Sequence, residues 1–319
     1  MHMPHITPKD RESSGTTQFI HPIKWGASKI LQGMAATILT AFTLAHAGGY
    51  QRGPDPSTAM LEASSGPYTV ASEKISSPVN YGGGTVYFPT ATGDGPFGVV
   101  AFSPGFVNTE AANKWWGPAL ASHGFVVVMI NTLTPFDLPG LRGRQLLAAL
   151  KDIIARSQDK ASAYFGRIDI NRRAVMGHSM GGGGTLSASV SDPSLKAAIP
   201  LAPWSANTDW SKDSVPTLVI AGQNDVVAPP STMASVFYNN LPGNLSKAYM
   251  EMKAADHFFP NNLGPTAMKP VMSKYAVSWL KRFLDEDRRY SQFLCGALHD
   301  ADLNATNTQI STYKETCPY

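Results

Sequence analysis

Two apolar runs constrain this chain more than any other feature: FGVVAFSP (97–104) and FVVVMINT (125–132). Neither alternates apolar with polar residues, so the strands they form have to be covered on both faces. The segment between them, TEAANKWWGPALASHG, reads as a helix to about Ser122 that stops at Gly124. A buried strand, a helical crossover and a second buried strand make a parallel pair.

The pattern repeats downstream. LRGRQLLAALKDIIARS (141–157) places Leu146, Leu147, Leu150, Ile153 and Ile154 on one helical face. RRAVMG (172–177) reads as a short strand, and LKAAIPLA, PTLVIAG and AYMEMKA as further strands. A last helix is expected over 266–285, with Pro270 in its first turn or at a kink. Upstream, YTVASEKI (68–75) and GGTVYFPT (83–90) alternate in polarity around Asn80-Tyr81-Gly82-Gly83, which predicts an antiparallel opening pair. The expectation is an α/β fold with a mostly parallel central sheet flanked by helices. No internal repeat, low-complexity tract or linker divides residues 48–319, so one domain is expected there.

Composition narrows the function classes. Of 319 residues, 43% are hydrophobic and 15% charged, enough for a sizeable core, which excludes wholesale disorder. The 26 basic residues barely exceed the 23 acidic ones and do not cluster, which argues against a nucleic-acid partner. Two cysteines exclude a four-cysteine zinc module, and no cofactor or metal is called for.

Residues 1–33 are polar, with Lys24 and Lys29 near their end, and AATILTAFTLA (35–45) follows. That stretch is shorter than the ~20 residues a membrane span needs, so no stable membrane insertion is expected. It ends in Ala45-His46-Ala47, a small-x-small pattern. Together these features read as a secretory signal peptide over 1–47, cut after Ala47, and imply a secreted protein; a monomer is expected. The competing reading is a buried N-terminal helix. The long polar lead-in also allows a start codon downstream of Met1. Export fits Cys295 and Cys317, 22 residues apart in sequence. In an oxidising compartment they would close a loop over the C-terminal tail, a constraint worth about 3 kcal/mol; the alternative is two free thiols.

Gly177-His178-Ser179-Met180-Gly181 is a G-x-S-x-G motif. Alone the pattern is weak, but RRAVM supplies a strand before it and GGGGTLSASV small residues and a helix after it. A sharp strand-to-helix turn holds its serine in a strained backbone, and the flanking glycines remove Cβ atoms that would clash. The helix N-terminus behind the serine offers unpaired N–H groups where an oxyanion would sit. The competing readings are a packing turn and a phosphate-cradling loop, although the latter would want a lysine after the glycines.

A serine nucleophile needs a base. Of His123, His178, His257 and His299, His257 directly follows the strand AYMEMKA, where a loop would cross the carboxyl edge of the sheet. His178 adjoins the serine and is expected to point elsewhere, His123 sits in a helix-to-strand turn, and His299 lies between the cysteines. The orienting acid should lie at a strand end between serine and histidine in the chain, which favours Asp225 after PTLVIAG over Asp192, Asp209, Asp213 and Asp256. The loop after FGVVAFSP, Pro104-Gly105-Phe106-Val107, would bring the Phe106 N–H to pair with that of Met180 as an oxyanion hole.

Taken together, Pro104-Gly105-Phe106, Lys114-Trp115-Trp116-Gly117, Ala121-Ser122-His123-Gly124-Phe125, the GHSMGGGG run, Ala202-Pro203-Trp204 and Asn224-Asp225 resemble bacterial cutinase-like polyester hydrolases, the group that includes poly(ethylene terephthalate) hydrolases. The resemblance runs from Gly53-Pro54 to the C-terminal cysteines. It implies a lidless α/β-hydrolase fold, a shallow cleft for a polymeric or small ester, and no cofactor. It also implies Ser179, Asp225 and His257 as triad, Phe106 and Met180 as oxyanion pair, and Trp204 and Val227 against substrate. Cys295 and Cys317 match the family's C-terminal disulfide. Phe106 departs from the tyrosine frequent after Pro-Gly, and Gly222 and Phe259 replace residues that in some members tie the acid and base loops. Of the tryptophans, at least one of Trp115 and Trp116 is expected in the core, whereas Trp204 is expected to be exposed. Phe258 and Phe259 either contact substrate or pack the base loop. The expected activity is cleavage of polyesters and short-chain esters through an acyl-enzyme. The alternatives are a lipase or carboxylesterase, a non-catalytic surface binder and a serine peptidase.

Overall fold

Successive side chains along a strand point to opposite faces, and the apolar runs of this chain feed both. From Phe97–Ser103 (β3), Val99 and Ala101 enter one core and Val100 and Phe102 the other. The same division holds along Phe125–Ile130 (β4), where Val126 and Val128 face away from Val127 and Met129. The first core is closed by Pro139–Arg156 (α3), through Leu146, Leu150 and Ile153. The second is closed by Trp116–Ala121 (α2) and Met268–Phe283 (α6), through Trp116, Leu120, Tyr275 and Trp279.

The computed structural model describes residues 50–91 and 93–319, and the proposed signal segment, 1–47, lies outside them. After a short helix, Thr58–Glu62 (α1), the chain lays down Val70–Ile75 (β1) and Gly84–Pro89 (β2) as the antiparallel pair that the alternation predicts. The remaining strands are Ile168–His178 (β5), Ala197–Leu201 (β6), Thr217–Gly222 (β7), Lys247–Met252 (β8) and Ile310–Glu315 (β9). Met180–Ser191 (α4), Ala234–Asn240 (α5) and Ala297–Asn304 (α7) complete the helices among the described residues. One nine-stranded sheet results, ordered β1-β2-β4-β3-β5-β6-β7-β8-β9. Its centre, β4-β3-β5-β6-β7-β8, is parallel throughout, and β1, β2 and β9 pair antiparallel at its flanks. This is the α/β-hydrolase fold.

Three elements differ from the sequence expectation. The helix expected over 109–122 is broken into a 3₁₀ turn at Glu110–Asn113 and α2. Its polar groups are claimed from outside. Asn131 Oδ1 accepts from the Glu110 N–H at 2.9 Å, Asn262 Oδ1 from the Trp115 N–H at 3.0 Å, and Asn113 Nδ2 donates to Asn261 Oδ1 at 2.8 Å. Strand β5 is nearly twice as long as RRAVMG, because Asp169 pairs with Arg172 at 2.9 Å and carries polar residues into the sheet. The helix over 266–285 is not the last element. Helix α7 and strand β9 follow it, and a disulfide joins Cys295 to Cys317 on either side of them.

Candidate active site

Parallel strands deliver their carboxyl ends to one edge of the sheet, so the loops that follow are neighbours. Ser103 stands opposite Gly177, His178 opposite Leu201, and Gly222 opposite Met252. The loops leaving these strands carry Phe106, Ser179, Trp204, Asp225 and His257.

Ser179 sits between β5 and α4 with φ +57° and ψ −119°, a conformation costly for a residue with a Cβ. The turn closes only because its flanks are bare. A Cβ on Gly177 would lie 2.3 Å from the Gly181 oxygen, and one on Gly181 would lie 2.2 Å from the Ser103 oxygen. The backbone is then fixed from three sides. The Ser179 N–H donates to Leu201 O at 2.9 Å, and its carbonyl accepts from Gly183 at 3.0 Å and Trp204 at 2.9 Å.

Ser179 Oγ lies 2.8 Å from His257 Nε2, and His257 Nδ1 lies 2.7 Å from Asp225 Oδ2. A carboxylate oxygen only accepts, so Nδ1 carries the proton and Nε2 is free to accept from the serine hydroxyl. All three side chains are buried. Burial pushes the Asp225 carboxyl up, but three donors outweigh it: His257 and the N–H groups of Ala228 at 2.7 Å and Val227 at 2.9 Å hold the group below its ordinary value. The acid is therefore ionised where the imidazole needs it.

The rival residues are engaged elsewhere. Asp192 pairs with Arg173 at 2.9 Å, Asp213 accepts from Ser189 Oγ, Asp256 accepts from the Phe258 N–H at 2.9 Å, and Asp209 is exposed. His123 Nδ1 meets Ala119 O at 3.0 Å, and His299 Nδ1 meets Tyr275 Oη at 2.9 Å.

His178 does not meet the Ser179 hydroxyl, in keeping with the sequence reading, but its side chain is engaged beside it. It is buried beneath the base loop, with its ring 4.9 Å from that of His257 and its Nε2 2.9 Å from the His257 carbonyl. A carbonyl accepts, so Nε2 carries the proton and ties the base loop to the serine turn. Burial, helped by the neighbouring His257, pushes the His178 imidazole down to about 3. It is neutral at any ordinary pH.

Met180 follows Ser179 in the chain, and a Cβ on Gly105, the residue before Phe106, would lie 3.0 Å from the Ser179 Cβ; among the described residues no backbone carbonyl accepts from the Phe106 or Met180 N–H. The loop that carries Phe106 rests on Arg142, which the sequence reading missed. This buried guanidinium donates to the carbonyls of Pro104 at 3.0 Å, Pro135 at 3.0 Å and Asp137 at 2.7 Å. Burial lowers its pKa to about 10, partly offset by Asp137, so it remains a cation. A signal was present: Arg142 precedes Leu146, Leu150 and Ile153 on the same helical stripe, an odd place for a charge.

On the loops at this sheet edge, Phe106, Val227 and Phe258 are exposed, and Trp204 and Met180 are half-buried. Trp116 is in the core and stacks on half-buried Trp115, ring centroids 4.1 Å apart; both indole N–H groups donate to Pro260 O. Phe259 is buried. Among the described residues no helix is long and apolar enough to cross a membrane.

A family model described as PET hydrolase-like matches residues 44–318. The chain is 48% identical over 275 residues to cutinase 1 of Thermobifida cellulosilytica, covering 86% of this chain and 100% of that one. It is 46% identical over 299 residues to a cutinase of Thermobifida fusca, covering 92% and 95%. A bis(hydroxyethyl) terephthalate hydrolase of Streptomyces coelicolor is 44% identical over 309 residues, covering 93% and 94%.

Proposed function

The chain belongs to the PET hydrolase-like family, and from that membership we propose that it is a secreted serine ester hydrolase of the cutinase type. It is a carboxylic ester hydrolase, acting on polyester and short-chain ester bonds. Its relatives include cutinases and a bis(hydroxyethyl) terephthalate hydrolase, which extends the proposed substrates to aromatic polyesters such as poly(ethylene terephthalate).

The observation that carries the mechanism is the continuous relay from Ser179 through His257 to Asp225. Ser179 Oγ attacks the ester carbonyl while His257 Nε2 takes its proton. Asp225 keeps the proton on Nδ1 and stabilises the imidazolium that forms. The carbonyl oxygen, now an anion, is received by the N–H groups of Phe106 and Met180, each worth about 3 kcal/mol in the transition state. His257 returns the proton to the leaving alcohol, and an acyl-enzyme remains on Ser179. Water, deprotonated by the same imidazole, releases the acid. This chemistry needs no cofactor. Phe106, Trp204 and Val227 line the approach and favour apolar or aromatic acyl groups. The disulfide supports export, because such bonds persist in oxidising compartments. The enzyme is proposed to act as a monomer.

Ser179→Ala should abolish turnover of p-nitrophenyl butyrate. Product release from cutin, an aliphatic polyester and poly(ethylene terephthalate), set against tributyrin turnover, ranks the substrates. Soluble acids from the polymers support a polyesterase. Tributyrin activity without them would leave a lipase or carboxylesterase.

A further inference from the structure

A cavity of about 760 Å³ opens between α2, the first half of α6 and the segment 62–70 that leads from α1 into β1. Neither the triad nor Phe106, Met180, Trp204 or Val227 lines it, so it is separate from the site above. Sites for small organic ligands have this size, with apolar walls and a few polar groups. Pro67, Val70, Pro118 and Pro270 supply the apolar wall, and half-buried Trp115 adds an indole. One face of that indole is taken by Trp116, with ring centroids 4.1 Å apart.

Two charged side chains line the cavity, Glu62 and Lys269. Glu62 is neutralised by Lys274. Lys269 pairs with no carboxylate among the described residues. Its ammonium stands 5.7 Å from the Trp115 ring centroid and donates to the Asn262 carbonyl at 2.7 Å. An ammonium has three donors, so two remain for an anion. Ser273 also lines the cavity, and its buried hydroxyl has no partner among the described residues. A ring beside an unpaired cation selects a particular ligand. A cationic ligand would be repelled by Lys269, and a neutral one would forgo the charge-assisted bond. A flat ring stacks on an indole at less cost in lost rotamers than a flexible chain.

We propose that this cavity binds an aromatic monocarboxylate, its ring against Trp115 and its carboxylate on Lys269. The proposal rests on the ester-hydrolase reading, in which hydrolysis of an aromatic ester releases such an acid, and adds a second place where the product is held. Trp115 and Lys269 also grip the base loop. Trp115 Nε1 donates to Pro260 O at 2.8 Å, and Lys269 holds Asn262. The acid therefore rests against the supports of the loop that carries His257.

The test follows the Trp115 indole N–H by ¹⁵N NMR in a Ser179→Ala background, the resonance being assigned by its loss in Trp115→Phe. The probe is monomethyl terephthalate at pH 7. It should shift this resonance saturably. Lys269→Met should weaken that binding by about fivefold, and Lys269→Arg should restore it. An unchanged Tm certifies the fold of both variants. The neutral analogue methyl 4-carbamoylbenzoate should bind about fivefold more weakly than the acid, and octanoate should bind more weakly too. A Trp115 resonance that stays still while that of Trp204 moves overturns the proposal, because the acid then binds in the cleft alone. So does equal affinity for the acid and its amide, equal affinity of Lys269→Met and its parent, or tighter binding of octanoate. Binding is read without turnover, so the two readings fail separately. Absence of p-nitrophenyl butyrate hydrolysis by the unmodified enzyme would remove the ester-hydrolase reading, whereas an unresponsive Trp115 would remove this proposal alone.

Discussion

Ser179 holds a backbone conformation that costs on the order of 1–3 kcal/mol, and the bonds to Leu201, Gly183 and Trp204 meet that cost. The strain presents Oγ at the sheet edge, already aligned on His257. Each partner can be removed with a distinct expected signature. Asp225→Asn keeps the shape but offers an amide hydrogen where a carboxylate accepted, so the proton on His257 moves to Nε2. Its kcat should fall by about 10⁴-fold with the melting temperature nearly unchanged. His178 acts through another residue, by tethering the His257 carbonyl. His178→Phe should lower kcat by about five- to tenfold, and His178→Gln, whose amide can donate to the same carbonyl, should recover part of it. Burial keeps the His178 pKa near 3, so replacing it should not move the acid limb of the kcat/KM profile, and a shifted limb would show that His178 titrates with the reaction. At this scale the sequence was generous where chemistry dictates residue type and silent where packing does. That Ser179, Asp225 and His257 would meet was readable from motif, chain order and strand ends. The contact that His178 makes was not, because it depends on a loop 79 residues away.

Among the elements, the parallel centre of the sheet gathers five loops at one edge, and α3 supports one of them through a single side chain. Arg142→Met removes the donors to Pro104, Pro135 and Asp137, of which Pro135 alone keeps a backbone donor, the Val107 N–H at 2.9 Å. Unfolding in urea should show a loss of about 3 kcal/mol, and kcat should fall as the Phe106 loop loosens. Unaltered stability would mean that water or neighbours replace the guanidinium. The continuous runs of β3 and β4 were plain in the sequence because both faces are apolar. The 3₁₀ break at Glu110–Asn113 was hidden, since Asn131, Asn261 and Asn262 override a helical preference from far along the chain. The length of β5 was hidden too, because the ion pair with Arg172 lets Asp169 enter a sheet that periodicity reserves for apolar residues.

For the molecule as a whole, the C-terminal region that sequence periodicity left blank turns out to brace the base loop. Strand β9 pairs with β8, whose end leads to His257, and the Cys295–Cys317 bond ties down the chain around β9. Weak alternation in ISTYKE gave no reason to expect a ninth strand. Cys295→Ser/Cys317→Ser should cost about 3 kcal/mol of stability in chemical denaturation while room-temperature turnover changes little. Stability should also carry a pH signature. Burial raises Asp213 to about 6, above its ordinary value, against the bonds from Ser189 and the Val215 N–H. A raised carboxyl contributes stability that is present below pH ~4 and is lost as pH passes ~6. Asp213→Asn carries no charge to desolvate, so its stability relative to the parent should rise between pH 4 and 7, by at most about 3 kcal/mol, and then level off. A gap that is constant with pH would show that Asp213 is not the titrating group.

The central claim is that one hydroxyl becomes acylated. Its most direct test is to treat the enzyme with a fluorophosphonate ester and map the modified peptide by mass spectrometry. A single adduct on Ser179, formed in step with loss of p-nitrophenyl butyrate turnover and absent from His257→Ala, is the predicted result. Full inactivation with the label on another residue, or full turnover by a protein quantitatively labelled at Ser179, would contradict it.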